Sequence, residues 1–186
     1  MRITGGIVSG IEFFSPKGTA RPILERSRIS LFSSLGPFDG LKVIDIFAGS
    51  GAFGLEAASR GASEVIFVEK SQIAVNVISN NINRLKNGSI LTKFSVFKTN
   101  AETFIKSYED INANVIFLDP PYEKTKYFLE KHVNNSIFAK FAKNADVIVK
   151  IPEKFDLSIF ANSQYLALKL HRNFGGTDFI VLNAKN

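Results

Sequence analysis

Asp45-Ile46-Phe47-Ala48-Gly49-Ser50-Gly51-Ala52-Phe53-Gly54 closes a short β-branched run, Lys42 to Ile46, and opens a helical stretch that ends near Gly61. Gly49, Gly51 and Gly54 have the G-x-G-x-x-G spacing of a strand-to-helix turn whose backbone approaches a ligand closely. Glu69, 18 residues beyond Gly51, falls at the end of the next expected strand, where an acid can receive ribose hydroxyls. Read together, these residues describe the first unit of an open α/β sheet with its ligand at the carboxyl edge of the strands.

Outward from this turn the same pattern repeats. From Leu41 onward, short β-branched or aromatic runs alternate with amphipathic stretches, as in a parallel sheet built from βα units. Strands are expected at Lys42 to Ile46, Glu64 to Val68, Thr92 to Phe97, Asn114 to Leu118, Asp146 to Ile151, Leu166 to Leu170 and Phe179 to Leu182. The helix expected from Ser71 to Lys86 places Ile73, Val77, Ile78, Ile82 and Leu85 on one stripe and stops before Gly88. The last two strands are joined by a short connection containing Gly175 and Gly176, which favours antiparallel pairing at one edge. The expected fold class is therefore α/β: a seven-stranded, mostly parallel sheet with an antiparallel edge strand and helices on both faces.

Residues 1–40 differ from the rest. Gly5, Gly6, Gly10, Pro16 and Gly18 punctuate short extended pieces; Pro22 can then open a helix to about Leu35, ended by Gly36 and Pro37. On that helix Leu24, Ile29, Leu31, Phe32 and Leu35 supply an apolar side, leaving Arg26 and Arg28 to project. The chain thus divides into an N-terminal appendage, 1–40, too short to be independent, and a domain, 41–186.

At 186 residues, with 45% hydrophobic and 22% charged residues, disorder and fibrous repeats are excluded. Cysteine is absent, which removes disulfides, thiolate metal sites, iron-sulfur clusters and thiol nucleophiles. Catalysis would fall to carboxylates, hydroxyls, amides or an organic cofactor, and no metal is expected. No apolar run approaches the roughly 18 residues of a membrane span, and the first ten residues lack a signal-peptide core, so a cytoplasmic protein without membrane contact is expected. The net charge of +6 is uneven: five basic against three acidic residues in 1–40, eight against eight in 41–122, ten against six in 123–186. A neutral ligand-binding centre with basic flanks suits a polyanion such as RNA or DNA.

Two cofactor classes fit the glycine turn. Asp45 separates them, because a carboxylate beside the loop repels a pyrophosphate but suits S-adenosylmethionine, which carries a sulfonium and an ammonium. In that role Asp45 faces the amino acid end, Phe47, Gly49, Ser50 and Gly51 form the loop, and Glu69 accepts ribose hydroxyls. Asn100-Ala101, after the third strand, can meet an adenine edge, and Asn100 can equally cap the following helix. The fourth strand delivers Asp119-Pro120-Pro121-Tyr122 to the same sheet edge. An exocyclic base amine has a delocalised lone pair, so a site that methylates it must orient the nitrogen with acceptors. Asp119 can accept one amine hydrogen and the carbonyl within Pro120-Pro121 another, while Tyr122 offers a face for stacking an extruded base.

Asp45 to Gly51, Glu69, Asn100-Ala101 and Asp119 to Tyr122, in this order, resemble Rossmann-like class I S-adenosylmethionine-dependent methyltransferases that act on amino groups. Arg2-Ile3-Thr4-Gly5-Gly6, Arg21-Pro22 before Arg26, Arg28, Leu31 and Phe32, and the ending from Phe174-Gly175 to Leu182 are similar to the RsmD-type enzymes within that superfamily. The resemblance implies guanine-N2 methylation of 16S ribosomal RNA, within an assembled or assembling small subunit, with S-adenosylhomocysteine as product. It implies phosphate contacts by Arg2, Arg21, Arg26 and Arg28. The chain departs from the family pattern at Ile23, Glu25, Ser27 and Ile29, and has Ser9, Ile11 and Glu12 where basic residues usually stand. DNA adenine-N6 methylation and a non-catalytic RNA-binding module are the competing readings.

Glu56 and Arg60, four apart on the first helix after the loop, read as a solvated pair, and His132 and His171 as surface or packing residues.

Overall fold

Successive side chains of a strand point to opposite faces, and in this protein that alternation sorts the apolar residues into two cores on either side of one sheet. The computed structural model describes residues 1–16, 25–86, 90–174 and 176–185. In chain order the elements are α1 Glu25–Leu35, β1 Lys42–Ile46, α2 Ala52–Ser59, β2 Glu64–Glu69, α3 Gln72–Lys86, β3 Lys93–Lys98, α4 Ala101–Ser107 and β4 Val115–Leu118. There follow α5 Tyr122–His132, α6 Ser136–Phe141, β5 Asp146–Ile151, β6 Leu166–Phe174 and β7 Thr177–Ala184. The sheet order is β3-β2-β1-β4-β5-β7-β6. Strands β3, β2, β1, β4 and β5 pair in parallel, and β7 runs antiparallel to both β5 and β6. The expected sheet is observed, with its antiparallel pairing at one edge, where β7 lies one position in from β6.

Val43, Val65, Phe67, Val115, Phe117 and Ile148 turn to the face covered by the N-terminal segment, α1, α2 and α3. Their neighbours Ile44, Ile46, Ile66, Val68, Ile116, Leu118, Val147 and Val149 turn to the face covered by α4, α5 and α6. Aromatic packing fills the first core: Phe53 stacks on Phe117 at 4.9 Å between ring centres, and Phe32 meets Phe38 at 5.1 Å. Such large, rigid side chains account for a core rich in Phe.

Residues 1–13 double back on themselves. Ile3 donates to the Ile11 carbonyl and Gly10 to that of Ile3, while Phe13 donates to Met1. This piece docks on the end of α2 through Ile7 N–H to the Ser59 carbonyl at 2.7 Å and Ser59 Oγ to the Gly5 carbonyl at 2.6 Å. A Cβ on Gly6 would lie 1.8 Å from the Ser59 oxygen, so the backbone approach requires glycine there. Ile3, Val8, Phe13, Leu31, Phe32 and Phe38 are buried in the same core as the sheet.

On two helices the expected apolar face is kept in part, Leu31 and Phe32 on α1 and Ile78, Ile82 and Leu85 on α3 being buried, and displaced in part. On α1 the buried residues are Ser27, Arg28, Leu31 and Phe32, while Ile29 is 42% exposed. Arg28 goes inward because Glu56 supplies a buried partner, an interaction that hydrophobic periodicity cannot register. On α3 the buried stripe is Ala74, Ile78, Asn81, Ile82 and Leu85, and Ile73 faces outward at 67% exposure. Gly18, Pro22, Ile23, Leu24, Gly88 and Gly175, on which parts of the sequence reading rested, lie outside the described residues.

Candidate active site

The glycine loop is held from below by side chains. Phe47 and Ala48 donate to the Val68 carbonyl, and Glu69 receives Gly49 N–H at 3.0 Å on one oxygen and Ser71 N–H at 2.8 Å on the other. A carboxylate offers about four acceptor positions, so Glu69 retains capacity for hydroxyl donors. Phe47 has φ 62, an uncommon conformation for a non-glycine residue, and its ring packs edge-on to Phe128. Gly51, with φ 80, is the N-cap of α2. At Gly54 a Cβ would come within 2.4 Å of the Phe67 ring and 2.8 Å of Val65, so α2 can cross the sheet this closely only with glycine.

Asp45 lies beneath this loop at 1% exposure. Its Oδ2 accepts Gly54 N–H at 2.9 Å, and its Oδ1 is buried without a hydrogen-bond partner. Burial pushes its pKa well above the ordinary carboxylate range, and the charges of Asp119 and Glu69 push in the same direction. Asp45 thus braces the start of α2 from beneath the loop. Asn100 does cap α4, accepting Thr103 N–H at 2.8 Å, and stays exposed beside buried Ala101.

Strand β4 ends at Leu118, and Asp119 follows. Its Oδ1 receives the Lys150 ammonium at 2.8 Å. Burial raises the Asp119 pKa and Lys150 opposes that rise. The Pro121 carbonyl accepts Lys124 N–H at 2.7 Å, and the buried Thr125 hydroxyl lies 3.3 Å from Pro121 O and 3.5 Å from Pro120 O. Tyr122 begins α5; its side chain lies outside what the structure describes. By strand alternation Asp45, Glu69, Asp119 and Lys150 share the sheet face covered by α1, α2 and α3, at the carboxyl ends of β1, β2, β4 and β5.

The four arginines do not form one surface. Arg2 is exposed and paired with Glu25 at 2.9 Å; Arg26 is exposed near the β6–β7 turn, 3.8 Å from where a Cβ on Gly176 would sit. Arg28 is 0% exposed, bonded to Glu56 at 3.2 Å and to the Arg2 carbonyl, which removes it from any phosphate contact. Arg21 lies outside the described residues.

Three features escaped the sequence reading. Glu56 is fully buried rather than solvated, and gathers Arg28, Arg60 and both the N–H and hydroxyl of Thr4. Asn81, inside the apolar stripe of α3, clamps both backbone groups of Phe14 and donates to the Ser50 carbonyl, joining the N-terminal segment to the glycine loop. Lys150 interrupts the apolar run Val147 to Ile151, and a lone cation in a central buried strand was the signal that could have found it. His132 packs among Phe128 and Phe138 at 5% exposure, and His171 pairs with Asp178 at the surface.

A family model described as conserved hypothetical protein 95 matches residues 1–183. The chain belongs to this family of RsmD-type methyltransferases. Among RsmD-type relatives, ribosomal RNA small subunit methyltransferase D of Escherichia coli (strain K12) is 33% identical over 136 residues, covering 72% of this chain and 65% of that protein. YlbH of Bacillus subtilis (strain 168), provisionally named an rRNA methyltransferase, is 36% identical over 131 residues, covering 68% of this chain and 69% of the relative. The aligned part thus spans about two thirds of each relative. A solved structure of a hypothetical protein from Thermus thermophilus superposes with a TM-score of 0.77 at 28% identity, covering 98% of both chains.

The donor set fits the methyl donor of this superfamily. Asp45, Glu69 and Asp119 set three carboxyl groups around a glycine loop, which favours a ligand with a sulfonium and an ammonium.

Proposed function

We propose that this protein transfers a methyl group from S-adenosylmethionine to the N2 amine of a guanine in 16S ribosomal RNA, presented by a small ribosomal subunit during or after assembly. The observation that carries the reading is Asp119, ahead of Pro120 and Pro121, at the same sheet edge and on the same face as the glycine loop. When bound, S-adenosylmethionine supplies a methyl group on a positive sulfur, which the amine lone pair takes as the carbon–sulfur electron pair returns to sulfur.

The chain's own residues do the orienting. Phe47, Gly49, Ser50 and Gly51 would line the cofactor, Glu69 would receive the ribose hydroxyls, and Asn100 with Ala101 would border the adenine. Asp119 accepts one amine hydrogen and the Pro120 carbonyl the other, which aims the nitrogen lone pair away from the ring plane and toward the incoming methyl. Once the new bond has formed, nitrogen passes one proton to the Asp119 carboxylate or to water. Arg2 and Arg26, both exposed, would contact the RNA backbone, and Tyr122, which follows the prolines, would stack on the base.

Labelled S-adenosylmethionine is offered to unmodified 16S RNA, to assembled small subunits and to DNA, and the products are digested to nucleosides. N2-methylguanosine from a ribosomal substrate is the expected product; N6-methyladenine in DNA, or cofactor binding without transfer, would refute the assignment. Asp119→Ala is expected to lower the transfer rate by at least about a hundredfold while leaving the S-adenosylhomocysteine dissociation constant nearly unchanged.

A further inference from the structure

The parallel register of β4 and β5 pairs Leu118 with Val149, so one position further sets Asp119 beside Lys150. Alternation turns both side chains to the same face, and they meet at 2.8 Å, with the lysine side chain 10% exposed and that of the aspartate 24%. On its other side Lys150 faces Phe179 across the β5–β7 ladder, and its sequence neighbours Val149 and Ile151 are buried in the opposite core. Stability does not call for an ammonium in such surroundings, since apolar residues would serve a strand like this at least as well. The cation does meet the residue that the reaction needs.

We infer that Lys150 is a positioning residue whose ammonium fixes Oδ1 of Asp119 and keeps the carboxylate anionic, so that Oδ2 is presented to the substrate amine. The inference rests on the role given to Asp119 above. Oδ1 and Oδ2 become inequivalent: one is occupied by Lys150, the other is left to the amine hydrogen. A protonated Asp119 would carry an O–H in place of an acceptor and lose its hold on the nitrogen. Burial drives Asp119 toward that neutral form, and Lys150 drives it back. Around it, Asp45 on β1 is near enough that Asp119 and Glu69 on β2 both push its pKa up. On β7, Asp178, beside the Lys150 partner Phe179, is engaged by His171 and Asn173.

The test combines carboxyl carbon NMR of the cofactor-free protein with single-turnover methyl transfer across pH, in the wild type, Lys150→Met and Lys150→Arg. In Lys150→Met the Asp119 titration midpoint, assigned by its loss in Asp119→Asn, is expected to rise by about one pH unit or more, and the acid limb of the transfer rate to move with it. Lys150→Arg is expected to restore both, and S-adenosylhomocysteine affinity to stay within about threefold throughout. An Asp119 midpoint unchanged in Lys150→Met overturns the inference, as does a shifted midpoint with an unmoved rate profile. Lys150→Gln, which keeps a donor and removes the charge, makes the same comparison if the methionine variant does not fold. Failure of the guanine reading shows separately, as absent N2-methylguanosine, and the NMR titration still decides the pairing.

Discussion

Asp45 shows how one residue can serve the loop and still weaken the fold. It is an acid whose folded pKa is raised, so its cost depends on pH in a definite direction. Below the unfolded carboxylate value, about 3.9, both states keep the proton and the residue costs nothing. As pH rises the unfolded chain ionises first, and the penalty grows until pH passes the raised folded value. Asp45→Asn does not ionise and can still accept Gly54 N–H, so its melting temperature should gain on the wild type from pH 4 to pH 7. A gap that stays constant with pH would remove the acidity argument.

At the scale of elements, α2 is the joint of the molecule. Its N-terminus is capped by the glycine loop, and its C-terminus receives the N-terminal segment through Ser59. Glu56 between them is buried with Arg28 from α1 and Thr4 from the N-terminal piece, and Arg60, which caps the end of α2, pairs with Glu56 and lies across the Phe32 ring at 5.2 Å. Burial lowers the Arg28 pKa while Glu56 holds it up. Removing one member of such a cluster strands charge in the interior, which costs about 3 to 5 kcal/mol. Glu56→Gln should therefore lower the melting temperature by roughly 6 to 20 °C in a chain of this length, read by calorimetry. A shift of a degree or two would mean that the arginines find water when their partner is lost. The departures from the family pattern are consistent with this joint: Glu25 pairs with Arg2, and Ser27, buried, meets Thr177 of β7 at 3.1 Å.

Over the whole molecule, charge decides what RNA can touch. The sequence places its basic excess in the flanks, and the structure leaves Arg2 and Arg26 exposed while enclosing Arg28. Each phosphate contact to single-stranded RNA contributes about −0.7 to the slope of log affinity against log salt. Arg26→Ala should flatten that slope by about this amount, whereas Arg28→Met should leave it unchanged and lower thermal stability. Filter binding at several salt concentrations separates the two, and a flattened slope in Arg28→Met would restore the phosphate role that its burial denies.

The βα alternation from Leu41 was readable because strand and helix impose different apolar periods, and the glycine loop, Glu69 and Asp119 because their positions depend on local chain direction. The strand ends follow from local pattern to within a few residues, except for β6 and β7, which pair beyond the range that alternation marks. What the chain alone does not encode is which polar residue meets which. Arg28 and Glu56 are 28 positions apart, Asp119 and Lys150 are 31, and Asn81 and Phe14 are 67. A buried charge or amide is stable only with its partner, so its direction is settled when distant elements pack. Periodicity put Leu31, Phe32, Ile78, Ile82 and Leu85 inside, as they are, but also Ile29 and Ile73, with Arg28 outside; the pairings of Arg28 with Glu56 and of Asn81 with Phe14 shifted the edges of both faces. Local sequence determined the elements and the loop at the sheet edge, while long-range polar contacts decided the edges of those faces and the electrostatics of the site.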